Sequence, residues 1–145
     1  TTLASGVSQP FLPGILQLTL TTNTGGAFGI GRDSKEIMTL LAVAICIAII
    51  VFLSRREKSN DPPRNIERVG FGLILGGAAG NILDRFMRGE VTDFLEFTFI
   101  RFPVFNVADA LIDVGVALLL IHAVFGGSAS QSARPPVKTD VVEDA

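Results

Sequence analysis

The chain has 145 residues, of which 48% are hydrophobic, and its mean hydropathy of +0.50 predicts a membrane protein. The formal net charge of −2 is too small to indicate a nucleic-acid partner, and the single cysteine, Cys46, excludes an intramolecular disulfide. By length the chain is one domain, which we place at residues 1–126. Residues 127–145 are rich in Ser, Ala and Pro and then acidic, which predicts a disordered tail.

In chain order, the sequence predicts a strand, two helices, a second strand and a third helix. Apolar and polar residues alternate over 16–21 and again over 95–99, which indicates half-buried strands of a small sheet. At about 1.5 Å per residue, three apolar segments reach across a bilayer, namely 37–53, 66–86 and 104–125. Small residues crowd the second of these helices, so we expect it at the centre of an all-α membrane bundle.

The charges of the connecting segments predict the orientation in the membrane. The short loop over residues 54–68 holds five basic residues, which is typical of a cytoplasmic loop. These are Arg55, Arg56, Lys58, Arg64 and Arg68. Residues 1–35 and 87–103, with both predicted strands, are then extracytoplasmic, and the tail over 127–145 is cytoplasmic.

Two aspartates in apolar surroundings are the main candidates for chemistry. Asp93 lies next to the second predicted strand, and Asp109 lies at the head of the third predicted helix. An ionisable group at membrane depth costs about 2.5–3.5 kcal/mol, so it usually has a function. Two carboxylates that meet in a dry site share a proton, as in an aspartic peptidase. The simpler alternatives are a solvated turn acid for Asp93 and an interfacial helix-head acid for Asp109.

Two further segments could support such a pair. Asn81 and Arg85 are four residues apart and share a helix face, where Arg85 could neutralise a carboxylate or merely end the helix. The glycine-rich segment 22–29 contains Asn23 and Gly25, and its glycines favour unusual backbone angles. Asn23 could bind a peptide backbone there, although the segment could also be a simple turn before the first helix.

The remaining polar positions have structural interpretations. Asp113 lies one helical turn after Asp109, as either a third acid or an ion-pair partner of Arg85, and we slightly prefer the ion pair. We expect His122 to be interfacial rather than catalytic. The sequence has no metal-ligand spacing, phosphate loop or Ser–His arrangement, so we expect no metal and no cofactor.

Four segments taken together resemble the lipoprotein signal peptidases (signal peptidase II), from about Pro10 to Phe125. In order they read Asn-Thr-Gly-Gly-Ala-Phe (23–28), Gly-Asn-Ile-Leu-Asp-Arg (80–85), Val-Thr-Asp-Phe (91–94) and Phe-Asn-Val-Ala-Asp (105–109). The resemblance implies a multi-pass peptidase of the bacterial inner membrane, with its active site near the extracytoplasmic face. It further implies that the enzyme cuts the signal peptide from prolipoproteins just before a diacylglyceryl-modified cysteine and is inhibited by globomycin.

The resemblance also assigns residues. It implies that Asp93 and Asp109 are catalytic and activate water without a covalent intermediate. It implies that seven other residues support the pair or surround the substrate, namely Asn23, Gly25, Gly80, Asn81, Arg85, Asn106 and Ala108.

The sequence departs from the family pattern in two places. The family has four membrane helices with a cytoplasmic N-terminus, whereas three are predicted here and the first family helix is absent. Asp113 also occupies a position where a small, polar or apolar residue is expected. Two alternatives therefore stay open: a non-enzymatic membrane protein with a relay of Asp109, Asp113 and Arg85, and an inactive member that binds lipoprotein precursors. A relay has no need of Asp93, whereas an aspartate pair requires it.

Overall fold

The computed structural model describes residues 7–23 and 35–126. Within these ranges the elements follow one another as β1 (Ser8–Leu12), β2 (Leu16–Asn23), α1 (Lys35–Glu57), α2 (Asn65–Arg88), β3 (Val91–Phe97) and α3 (Val107–Phe125). All three helices are long and apolar enough to cross a membrane, with mean hydropathies of 3.0, 1.2 and 2.1 in chain order. The predicted fold, a membrane helix bundle with a small sheet, is confirmed. The predicted tail at 127–145 lies outside the described residues.

The first two helices are longer than predicted because each continues past its apolar segment into polar residues. α1 extends to Glu57, whose carboxylate accepts hydrogen bonds of 2.8 and 2.9 Å from Arg68 of α2. α2 ends at Gly89, which adopts a left-handed φ of 79° and donates its N–H to the Arg85 carbonyl at 2.9 Å. Glycine takes this backbone conformation without steric cost, so it fixes the end of the helix.

The third helix begins at Val107, and the predicted start at residue 104 was wrong. Phe105 is held by backbone hydrogen bonds of 2.8 and 2.9 Å to Leu95 of β3, so it cannot take part in a helix. Asn106 is extended, with φ of −127°, and serves as the N-cap. The chain therefore stays in strand-like contact with the sheet until one residue before α3.

Close packing between α2 and α3 depends on small residues. A Cβ added to Gly77 would collide with the Ala108 carbonyl oxygen, and one added to Gly115 would lie 2.6 Å from the Gly70 carbonyl oxygen. Both α1 and α3 contact α2. The central position predicted for the glycine-rich helix is therefore confirmed.

The sheet is antiparallel, in the order β1-β2-β3. β1 was not predicted, because its five residues are all exposed and do not alternate between apolar and polar. β3 begins four residues before the predicted strand, since it pairs along β2 as far as Asn23 opposite Val91. Only Gly89 and Glu90 separate β3 from α2, so the start of the strand stays close to the end of that helix.

Candidate active site

Asp93 lies on β3, with its side chain turned into the protein. Side chains alternate between the two faces of a strand, so Asp93 shares its face with Val91. Both residues are only 2% exposed. This burial rules out a solvated turn acid.

Two neutral amides hold the Asp93 carboxylate. Asn23, the last residue of β2, donates from Nδ2 to Asp93 Oδ2 at 3.2 Å. Asn106 donates from Nδ2 to Asp93 Oδ1 at 2.9 Å. The carboxylate therefore has a hydrogen-bond donor at each oxygen, which buried polar groups require.

Asp109 is fixed by the cap of α3. The side-chain oxygen of Asn106 accepts a hydrogen bond of 3.0 Å from the Asp109 N–H, and the Asn106 N–H donates to Asp109 Oδ2 at 3.2 Å. Such a reciprocal capping box satisfies backbone donors that the first helical turn leaves free. The second oxygen, Asp109 Oδ1, accepts from Asn81 Nδ2 of α2 at 2.8 Å.

Asn106 links the two carboxylates. Besides its bonds to Asp93 and Asp109, its Nδ2 donates to Asn81 Oδ1 at 3.1 Å, and the residue is only 5% exposed. One buried asparagine thus connects β3, α2 and the first turn of α3. This network brings the carboxylates to one place from positions sixteen residues apart in the sequence.

The pKa of Asp93 is raised above the ordinary value of 3.8, chiefly because burial penalises the charged carboxylate. The amides of Asn23 and Asn106 lower the pKa by stabilising the ionised form. The charge of Asp109 raises it, and the guanidinium of Arg85 lowers it. Together these effects raise the pKa of Asp93, so Asp93 keeps its proton to a higher pH than an ordinary aspartate does.

Both carboxylates line one cavity of about 520 Å³. Polar groups from Asn23, Asn81 and Arg85 reach the same cavity, while the other walls are mostly apolar. They are formed by Val91, Phe102, Pro103, Val104, Phe105 and Ile112. An apolar cleft with a few convergent polar groups is typical of a substrate site.

Arg85 lies beside both carboxylates. It shares electrostatic interactions with Asp93 and Asp109, and its Nη1 lies 3.4 Å from the Asn81 carbonyl oxygen, one turn earlier in α2. Asp113 lines the same cavity, yet in the described part of the chain it forms no ion pair with Arg85. The preferred interpretation of Asp113 as an ion-pair partner was therefore wrong, whereas the charges of Asp93 and Asp109 both act on the guanidinium.

The structure separates the predicted supporting residues into two groups. Asn23, Asn81 and Asn106 hydrogen-bond the carboxylates directly. Gly80 and Ala108 instead lie where α2 and α3 cross, since a Cβ added to Gly80 would be 3.4 Å from the Ala108 Cβ. Gly25 lies outside the described residues.

An aromatic cluster lies beside the cavity, in the phenylalanine-rich outer segment that, from the sequence, could bind acyl chains or close over the site. The rings of Phe97, Phe102 and Phe105 have centroids 5.1–5.8 Å apart, and the last two line the cavity. Such spacing is favourable for aromatic pairs. The crowding of six phenylalanines between residues 86 and 105 was the available signal.

A second polar cluster lies at the other end of α2 and α3 and consists of Arg56, Glu67 and His122. Glu67 lies 3.4 Å from Arg56 Nη1 and 3.8 Å from His122 Nε2. The predicted interfacial role of His122 fits this position, a full helix length from the aspartates. Among the described residues, no group of three or more His, Cys, Asp or Glu side chains could hold a metal ion.

Comparison with known proteins gave a consistent set of matches. The family model described as signal peptidase (SPase) II matches residues 1–125. The lipoprotein signal peptidase of Gloeobacter violaceus is 41% identical over 97% of this chain and 79% of its own length. That of Nostoc punctiforme is 42% identical over 83% of this chain and 73% of its own length.

Solved structures give the same relationship in three dimensions. A bacterial membrane enzyme determined by the in meso method at 2.3 Å resolution superposes with a TM-score of 0.79. It is 30% identical, and the match covers 94% of this chain and 81% of the solved chain. A second such enzyme, at 1.9 Å resolution, gives a TM-score of 0.74 at 31% identity, over 86% of this chain and 79% of its own.

Proposed function

The chain belongs to the signal peptidase II family and is a membrane aspartic peptidase that processes prolipoproteins, and from this premise we propose that Asp93 and Asp109 are its catalytic pair. The observation that carries the proposal is the hydrogen-bond network of Asn106, which ties the buried Asp93 and the partly buried Asp109 to one cavity. Two acids in one largely apolar cavity can share a single proton, which is the state that acid–base hydrolysis needs.

Hydrolysis would proceed through a water held between the two carboxylates. The ionised aspartate takes a proton from the water as it attacks the scissile carbonyl carbon, and the protonated aspartate donates to the carbonyl oxygen. The roles reverse as the amine leaves, so the pair ends with one proton again. Because burial raises the pKa of Asp93, Asp93 is suited to hold the shared proton before the attack. The pair nevertheless titrates as one unit.

The neighbouring side chains would position this chemistry rather than perform it. Asn23, Asn81 and Asn106 hold the carboxylates with uncharged amide donors and so fix their geometry. The amides of Asn23 and Asn106 also favour the ionised form of Asp93. Arg85 offsets the combined negative charge of the pair, which limits the repulsion between the two acids.

We assign the substrate as a prolipoprotein whose cysteine already carries diacylglycerol, with cleavage just before that cysteine. The apolar walls of the cavity suit a signal peptide, and the three membrane-spanning helices keep the site close to lipid. The basic loop between α1 and α2 lies at the far end of α2 from the aspartates, which supports a cytoplasmic position for the loop. The aspartates then lie near the extracytoplasmic face of the bacterial inner membrane.

The relay alternative has less support. A relay of Asp109, Asp113 and Arg85 gives no role to Asp93, yet Asp93 is one of the most buried residues in the described part of the chain and belongs to the same network. An inactive precursor-binding member would likewise have no need of an intact pair.

The test is a cleavage assay with the purified protein in detergent or lipid. The substrate is a prolipoprotein with or without the diacylglyceryl group, and the products are identified by mass spectrometry. We expect cleavage before the modified cysteine, inhibition by globomycin and little turnover of the unmodified precursor. Equal turnover of both precursors, or cleavage at another bond, would contradict the assigned substrate.

A further inference from the structure

We infer that the groove between α1 and α2 binds the acyl chains of the substrate's diacylglyceryl group, an inference that rests on the proposed function. The groove has a volume of about 1080 Å³ and lies on the other side of α2 from the aspartate cavity. The groove would therefore be a lipid subsite, separate from the cavity that holds Asp93, Asp109 and the peptide.

The groove has its two charged residues at one end and is otherwise mostly apolar. Glu36 and Arg85 lie at the end nearest the aspartates, while Val43, Ile47 and Ile82 are among the side chains that form the walls below. A diacylglyceryl group has the same division, with ester oxygens at one end and hydrocarbon beyond. Arginine N–H groups are suitable donors for the ester carbonyl oxygens.

Arg85 connects the groove to the aspartate cavity. It is the residue of the described chain that lines both spaces. Asn81, one turn earlier on α2, belongs to the aspartate side, whereas Ile82 and Phe86 belong to the groove. A substrate could therefore place its peptide on one side of α2 and its lipid on the other, with the two parts meeting at Arg85.

The chemistry of the substrate requires such a neighbouring lipid site. The scissile bond directly precedes the modified cysteine, so the glyceryl group must lie close to the aspartates during cleavage. From Glu36 to Ile50 the groove follows fifteen residues of α1, whose first and last are about 21 Å apart at 1.5 Å of rise per residue. One leaflet of a bilayer has a hydrocarbon depth of about 15 Å, so the groove is long enough for an acyl chain.

The aromatic cluster beside the aspartates is a poorer place for these chains. Phe97, Phe102 and Phe105 pack their rings against one another, and Phe105 is tied to β3 by backbone hydrogen bonds. The groove, by contrast, has walls from two helices, and the spanning window of α1 contains no buried residue. The α1 wall of the groove is therefore not covered by the other described residues.

The test compares the same substitution inside and outside the groove. Ala79→Phe places a ring in the groove from α2, whereas Ala44→Phe adds the same ring to an exposed position of α1 that does not line it. Each variant is assayed with two prolipoproteins that differ only in acyl length, eight carbons or sixteen. Val43→Phe, from the opposite wall, repeats the test independently.

We expect Ala79→Phe and Val43→Phe to lower kcat/KM for the long-chain substrate by about tenfold, the size of effect that one misfitted apolar group produces in a binding pocket. Both variants should retain turnover of the short-chain substrate, which also shows that they fold. Ala44→Phe should leave the turnover of both substrates unchanged. Equal losses for both substrates would point to a polypeptide in the groove and overturn the inference, as would unchanged long-chain turnover. Absence of cleavage by the unsubstituted protein would instead overturn the proposed function itself.

Discussion

The two ends of the α2–α3 pair each enclose a carboxylate, but they hold it with different partners. At one end Asp93 is 2% exposed and accepts hydrogen bonds from the neutral amides of Asn23 and Asn106. At the other end the side chain of Glu67 is 14% exposed and lies between Arg56 and His122.

This difference separates a carboxylate that can change its protonation state from one that holds helices together. An amide satisfies a carboxylate oxygen without supplying a charge, so burial can still favour the protonated acid. A carboxylate within ion-pair distance of a guanidinium, as Glu67 is of Arg56, is instead part of an ion pair, and removing one partner leaves the other uncompensated. The charge of the partners, more than burial itself, distinguishes the candidate catalytic end from the structural end.

Replacement of Asn106 tests the catalytic end most severely among the supporting residues. Asn106→Ala removes the donor to Asp93 and the cap of α3, and a hydrogen bond to a charged group contributes about 1.5–3 kcal/mol. We expect kcat/KM to fall by roughly 10- to 100-fold. Asn106→Ser is the matched control, because serine caps a helix equally well but lacks the amide. It should recover thermal stability and leave the activity low, whereas recovery of both would reduce Asn106 to a helix cap.

The packing between the two ends is tested at Gly77. Gly77→Ala places a Cβ against the Ala108 carbonyl oxygen, so α2 and α3 must shift, at a cost of about 1–3 kcal/mol. Gly76→Ala is the control, since nothing lies within 4 Å of its added Cβ and alanine favours a helix by roughly 0.5–1 kcal/mol. In detergent, Gly77→Ala should therefore unfold at a lower temperature than the unsubstituted protein, and Gly76→Ala at a higher one. A lower stability for Gly76→Ala than for Gly77→Ala would contradict the packing described.

Neutralisation of Glu67 tests the structural end. Glu67→Gln removes the ion pair with Arg56 and changes the contact with His122. It keeps a side-chain oxygen that can accept the hydrogen bond that Arg64 N–H donates to Glu67 at 2.8 Å. Because the side chains are partly exposed, we expect a loss of no more than about 1 kcal/mol of stability. Turnover at a temperature where the protein is folded should be unchanged. A large fall in kcat without a change in stability would place catalytic function at this end as well.

The smallest expected effect is a shift in pH dependence. The amide of Asn23 lowers the pKa of Asp93, so Asn23→Ala should raise that pKa further above 3.8. A raised pKa means that the shared proton is kept to higher pH. The alkaline limb of the kcat/KM profile, which reports loss of this proton from the free enzyme, should therefore move to higher pH. Thr22→Ala, at an exposed neighbouring position of β2, should leave the limb in place. A shift toward lower pH in Asn23→Ala would contradict the assigned role of the amide.

Local patterns in the sequence were sufficient to predict the three helices and to identify the two candidate catalytic acids. The apolar segments are long enough to cross a bilayer, and small residues on α2 predicted its close contacts. Asp93 and Asp109 were recognisable because acids are rare in such surroundings. These features depend on residues close together in the chain, so periodicity and composition report them.

Contacts between distant segments could not be predicted in the same way. Asn23 and Asp93 are seventy residues apart and meet only because β2 pairs with β3. Asn106 connects Asp93 and Asp109 because Phe105 is hydrogen-bonded to β3, so that α3 begins only at Val107 and Asn106 is its N-cap. The expected pairing of Asp113 with Arg85 failed for a similar reason, since helical spacing does not show which acids a guanidinium faces across the bundle.

The most direct test of the account measures cleavage of a diacylglyceryl-modified prolipoprotein by Asp93→Asn, Asp109→Asn and Glu67→Gln under identical conditions, with thermal unfolding recorded for each variant. Loss of an acid–base group typically lowers the rate by about 10²- to 10⁴-fold, and we expect at least this loss for each aspartate variant in a folded protein. Glu67→Gln should retain its turnover. Near-normal cleavage by either aspartate variant would contradict the assignment of Asp93 and Asp109 as the catalytic pair.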